Sequence, residues 1–167
     1  SAKSCAIKPL VFSTLSSSGR KLNFCGFKFL KIGNDAIDVS GGNINIYNVT
    51  IKQVSDKAIS AGENSFIDIK KSSIIDSGIG LASKDLSEII SKNTILESID
   101  LCLAAYQKKP EYGFGYIYTN KKHTLCKTEY LLEPNSTIVV EETSKIPNTN
   151  NVSNLLYGNE YGKASER

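Results

Sequence analysis

The sequence predicts an all-β chain: a single-stranded right-handed parallel β-helix, a solenoid of about six short coils, with an irregular N-terminal cap and a C-terminal tail. Three observations predict it. Ile37, Ile59, Leu81 and Leu103 recur at a constant 22-residue step, with small residues in the flanking columns: Ala36, Ala58, Gly80 and Cys102 before, Asp38, Ser60, Ala82 and Ala104 after. Each repeat holds short β-branched runs separated by turns rich in Gly, Asn and Ser. And no unit of that length buries an apolar face alone, so successive units must stack into a shared Ile-rich interior.

Taken in order, residues 1–33 read as the cap and first coil. Pro9-Leu-Val-Phe12 and a Ser-rich turn ending at Gly19 precede the alternating Leu22-Asn-Phe24 and Phe27-Lys-Phe29. Residues 34–105 are the regular coils, each expected to carry three short strands: the Ile37 phrase, Asn43-Ile-Asn-Ile and Asn48-Val-Thr-Ile in one, the Ile59 phrase, Phe66-Ile-Asp-Ile and Ser73-Ile-Ile in the next. The coil 106–127 inserts Tyr106-Gln-Lys-Lys-Pro-Glu-Tyr-Gly-Phe-Gly before the pattern resumes, and a long loop on a rigid stack is a common seat of function. Residues 128–142 form the last coil. Residues 143–167 read as a polar linker and a tail that either plugs the end of the stack or lies along an outer face.

Composition narrows the functional classes. The chain of 167 residues is 40% hydrophobic and 22% charged, without Met or Trp, and has a net charge of +3. Arg occurs only at Arg20 and Arg167, which argues against nucleic acid, and no apolar run approaches the roughly 20 residues of a membrane span. Cys5, Cys25, Cys102 and Cys126 have no CxxC spacing, which disfavours zinc. A Cys5–Cys25 staple and buried free thiols are both open readings. Asn48, Asn135 and Asn151 head Asn-x-Ser/Thr triplets that an Asn-rich chain produces by chance.

The series Asn34-Asp-Ala-Ile-Asp-Val-Ser-Gly, Ser55-Asp-Lys-Ala-Ile-Ser-Ala-Gly-Glu-Asn-Ser, Ala82-Ser-Lys-Asp-Leu-Ser and Leu103-Ala-Ala-Tyr-Gln-Lys-Lys-Pro-Glu resembles the β-helix region of certain bacterial surface or exported proteins. Such regions accompany lamin-tail-like or spore-coat-protein-H-like domains, within the wider pectate-lyase-like superfamily. The resemblance implies the β-helix fold and an extracellular, cell-surface or periplasmic location. By fold-level analogy it implies contact with acidic polysaccharides.

Stacking places Ser40, Gly62, Lys84 and Tyr106 in one column and Gly41, Glu63, Asp85 and Gln107 in the next, a polar ridge that Lys108, Lys109 and Glu111 extend. Beside it, the columns Ala36, Ala58, Gly80, Cys102 and Asp38, Ser60, Ala82, Ala104, read as outward neighbours of the Ile37 column, form a nearly bald strip. A floor of small residues edged by Lys84, Asp85, Tyr106, Gln107, Lys108 and Glu111 suits an extended sugar chain. The competing reading seats the tail, a second subunit or a neighbouring domain on the strip, with Glu63, Lys84 and Asp85 as a solvated ion network.

For catalysis on uronate-containing polysaccharide, Lys84 is the candidate base with Asp38, Glu63 or Asp85 as carboxylates; His123 lies away from the ridge. Asp35, Asp38 and Asp56 are candidate calcium ligands, weighed against their role as turn residues; no other cofactor is expected. Three functions follow: a module that binds a polysaccharide or partner surface, a lyase, epimerase or hydrolase, and an architectural spacer that assembles by end or face stacking.

Overall fold

The computed structural model describes residues 11–12, 15–19, 21–120 and 124–158, and it is a parallel β-solenoid of about five turns with irregular termini. One face stacks Lys21–Cys25, Asn43–Tyr47, Phe66–Lys70, Glu88–Lys92, Tyr116–Thr119 and Thr137–Val140 in chain order, all parallel. The short strand Thr143–Ser144 pairs antiparallel with the last of them and closes that sheet.

The last strand expected in one coil and the first strand expected in the next are one long bent strand. Thr50–Gly62, Ser73–Lys84 and Ile95–Tyr106 each run through a bend, and the pairing shifts register between Val54 and Lys57. The first half forms the second face, the second half the third face. In the preceding turn the same two faces are separate strands, Lys28–Ile32 and Ile37–Ser40.

The repeat column is a single file. Leu15 pairs with Ile37, Ile37 with Ile59, Ile59 with Leu81, Leu81 with Leu103 and Leu103 with Tyr130. Ile37, Ile59, Leu81 and Leu103 are buried, together with Ile44, Ile67 and Ile89 from the first face and Ile51 and Ile74 from the second. Three inward files therefore fill one core.

Corners need residues that turn the chain. Gly26, Asn48, Lys71 and Asn93 hold left-handed φ between the first and second faces, and Lys31, Gln53, Asp76, Ser98 and Leu125 do so near the bend. The third corner uses Gly19, Gly41, Glu63–Asn64 and Asp85–Leu86. A left-handed L-residue costs roughly 1–2 kcal/mol, least for Asn, so the Asn and Gly of the turns are placed where that cost falls. Buried serines satisfy the corner backbone: Ser72 Oγ accepts from Val49 N–H (3.1 Å) and donates to Lys70 O (3.0 Å). Ser87 Oγ accepts from Ser65 N–H (3.0 Å), and Ser136 Oγ from Gly115 N–H (3.2 Å).

No described cysteine is a free thiol. Cys102 and Cys126, on adjacent turns with Cα atoms 5.8 Å apart, form a disulfide across a separation of 24 residues. That cross-link contributes about 3 kcal/mol by loop closure. The expected Cys5–Cys25 pairing and the position of His123 involve residues outside those described.

Candidate functional site

The bald strip is occupied. After Thr143–Ser144 the chain doubles back along the outer side of the third face, held by Asn148. That side chain accepts from Leu132 N–H (2.9 Å) and donates to Tyr130 O (3.0 Å), while Asn148 N–H donates to Leu132 O (3.1 Å). A five-residue helix, Val152–Leu156, follows, with Asn151 Oδ1 capping Asn154 N–H at 3.0 Å. Val152 and Leu156 pack on Ile79, Ala82, Leu101, Ala104, Tyr106 and Leu131. Ser60, Ala82 and Ala104, expected to form an open floor, are fully buried, and Ala36, Ala58 and Cys102, expected beside them on the outside, lie in the core with Ile37, Ile59 and Leu103 because the chain bends just before them. The small residues admit the helix, as the competing reading held.

The ridge is likewise reorganised by the inserted loop, which folds back over it. Two of its expected ligand contacts, Asp85 and Tyr106, are fully buried rather than solvated. Asp85 Oδ1 accepts from Lys108 N–H (2.8 Å) and Lys109 N–H (2.7 Å), so the carboxylate pins the loop. Tyr106 Oη lies 3.4 Å from Tyr157 Oη; burial, then the neighbouring Tyr157, pushes the Tyr106 phenol well above its ordinary range. Gln107 spends its side-chain amide on Pro110 O (3.5 Å) and Tyr112 O within the loop. Glu111 is exposed and stands outside the cleft described next.

What remains open is a cleft of about 310 Å³ at the edge of the strip, walled by Tyr157 and lined by Asp35, Asp38, Asp56, Lys57, Glu63, Lys84, Asp85, Lys108 and Lys109. Five of the predicted catalytic or ligand residues, Asp38, Glu63, Lys84, Asp85 and Lys108, thus meet here. Their partners differ. The Lys84 side chain folds over Gly62, whose missing Cβ would lie 3.1 Å from Lys84 Cε, and its ammonium donates to Ser60 Oγ at 2.7 Å. Glu63 accepts from Lys109 and from the Ser40 hydroxyl, and those two bonds, Lys109 first, hold its carboxyl below the usual range. The Lys108 ammonium sits 4.1 Å from the centre of the Tyr157 ring.

The aspartates form a second group. Lys57, only 3% exposed, reaches Asp56 Oδ1 at 2.8 Å and Asp35 Oδ1 at 3.4 Å. Burial pulls the Lys57 ammonium down, but Asp35 and Asp56 outweigh it and leave its pKa raised. Asp35 is pushed up to about 6, chiefly by burial, against the attraction of Lys57 and with the repulsion of Asp56 and Asp38. The Lys57 ammonium occupies the position a cation between Asp35 and Asp56 would take. Among the described residues no group of three His, Cys, Asp or Glu is arranged to hold a metal ion.

One carboxylate oxygen of a residue lining the cleft lacks a partner. Asp85 Oδ2 is fully buried and accepts no hydrogen bond among the described residues. Spacing alone could not have singled it out, because its burial depends on the inserted loop closing above it. The Tyr157 wall was equally invisible, since only the doubled-back tail brings it beside Lys57 (5.3 Å to the ring centre) and Lys108.

No family model, curated protein or solved structure matches this chain.

Proposed function

We propose that this solenoid is a non-catalytic binding module of an exported or surface protein, and that the cleft beside Tyr157 takes a hydroxyl-rich ligand, a polysaccharide chain. The observation that carries the reading is the unpartnered Asp85 Oδ2. A buried carboxylate oxygen without a donor costs free energy, and a sugar hydroxyl that displaced the loop above it would recover that cost. Lys84 and Lys108, neither ion-paired to a carboxylate among the described residues, supply donors to ring, hydroxyl or carboxylate oxygens on the other side. The volume falls at the small end of ligand clefts, which span roughly 300–1,000 Å³.

Binding is favoured over catalysis by the state of the carboxylates. Glu63 is held ionised by Lys109 and Ser40, which suits a structural pair rather than a general acid. Asp85 is clamped by two backbone amides. The export reading rests on the Cys102–Cys126 disulfide, a bond that persists in oxidising compartments, and on the resemblance to β-helix regions of bacterial surface proteins.

A screen of immobilised polysaccharides, with and without calcium, tests the proposal. The wild-type chain should be retained by one glycan class without releasing product. Asp85→Asn, which replaces the unpartnered acceptor by a donor, and Lys84→Ala/Lys108→Ala should each weaken retention by at least about tenfold, one charge-assisted hydrogen bond's worth. Retention by no glycan, or equal retention of the wild type and both variants, would overturn it.

A further inference from the structure

A second surface lies away from the cleft, on the second face and its corner with the first. Six lysines gather there over four successive turns: Lys28, Lys31, Lys52, Lys70, Lys71 and Lys92, all exposed. The register makes them neighbours. Lys70 and Lys92 pair strand to strand, Tyr47 pairs with Lys70, and Leu30 pairs with Lys52, at steps of about 4.8 Å. Of the six, Lys70 alone is ion-paired among the described residues, to Asp68, and Lys71 lies 5.4 Å over the Tyr47 ring. On the first and second faces of these turns Asp68, Asp76, Glu88 and Glu97 carry negative charge, four carboxylates against the six lysines.

Apolar side chains stand among these cations. Leu30 is 37%, Tyr47 40% and Ile95 40% exposed, each at an outward position of its strand. Single exposed apolar residues are ordinary; three in one basic patch are a different signal. We propose that this edge docks on an anionic lipid bilayer. Lysine ammonium groups pair with headgroup phosphates while Leu30, Tyr47 and Ile95 enter the headgroup–acyl boundary. The parallel strands make the edge flat and rigid, so these groups meet the bilayer together without ordering any loop. A nucleic acid would use the charge but leave the aliphatic tips of Leu30 and Ile95 without a partner, and the patch holds no Arg.

Co-sedimentation of the full chain with phosphatidylcholine vesicles, with and without phosphatidylglycerol, tests this directly. The chain should sediment with the anionic vesicles alone and be released at about 1 M salt, where charges are screened within about 3 Å. Lys52→Ala/Lys71→Ala/Lys92→Ala should lower vesicle partitioning on the order of 100-fold, about fivefold per lysine. Leu30→Ser/Ile95→Ser should lower it several-fold while leaving retention on soluble polyphosphate unchanged. An unchanged melting transition in each variant shows that the fold is kept. Equal sedimentation with both vesicle types, none with either, or vesicle binding insensitive to the Leu30 and Ile95 changes would overturn the proposal, the last in favour of a bare polyanion site.

Discussion

Glu133 holds the C-terminal helix to the inserted loop: one carboxylate oxygen accepts from Val152 N–H at 2.7 Å and the other from Gln107 N–H at 3.0 Å. A single side chain thus ties together the segment that covers the bald strip and the loop that closes the cleft. Glu133→Ala removes both charge-assisted bonds, which should cost about 2–4 kcal/mol locally. Because a five-residue helix has little stability of its own, the loss should show as local release. Amide exchange at Val152–Leu156 should accelerate by two orders of magnitude or more, while Ile67 and Ile89 exchange at the wild-type rate. Equal acceleration in all of these segments would refute this assignment.

The Asp35 carboxyl predicts a pH dependence. Its pKa of about 6 in the fold lies above the unfolded value near 3.9. Between about pH 4 and 6 the folded state alone holds the proton, so stability falls as pH rises through that window and levels off above it. A gap of about two pH units between the folded and unfolded carboxyl corresponds to roughly 3 kcal/mol. Denaturant melts at a series of pH values should show the wild type losing stability relative to Asp35→Asn from pH 4 to 7. A difference independent of pH, or one that grows in the wild type's favour, would contradict it.

The core was legible because one inward column is apolar at a fixed period, and stacking leaves it no other register than Ile37 on Ile59 on Leu81 on Leu103. The small outward residues Ser60, Ala82 and Ala104 were legible as a seat but not as to its occupant. Val152–Leu156 is too short to carry a helical period, and its docking depends on Asn148 and Glu133, polar residues without a pattern. Asp85 was read as a ridge residue because the column places it there. Its burial is contributed by Lys108 and Lys109, more than twenty residues later. The bend that fuses two strands in each regular coil escaped for a related reason: Gln53, Asp76 and Ser98 hold left-handed φ without being Gly or Asn.

Two glycines separate backbone conformation from space. Gly41 has φ +65°, and an added Cβ would meet only Glu63 O at an ordinary 3.5 Å. Gly41→Ala should therefore cost about 1 kcal/mol, the left-handed penalty less the entropy gained by the unfolded glycine, and Gly41→Asn less still. At Gly80 the Cβ would lie 2.7 Å from the Cys102 carbonyl oxygen, a backbone atom of the next turn. Gly80→Ala should cost toward 3 kcal/mol or more. Thermal melts of the three variants check the order; Gly41→Ala as damaging as Gly80→Ala would speak against it.

The cleft, the covered strip and the basic edge all depend on adjacent turns stacking in parallel register. Engineered cross-links measure that stacking on the exposed first face, where Asp68 and Ile90 are direct partners and Lys92 pairs with Lys70 instead. Under mild oxidation Asp68→Cys/Ile90→Cys should form an intramolecular disulfide without loss of β structure, its Cα atoms lying within the roughly 4.4–6.8 Å a disulfide spans. Asp68→Cys/Lys92→Cys, displaced two residues along the strand, should stay reduced. Cross-linking of the displaced pair in preference to the direct one would contradict the register on which each of these surfaces is built.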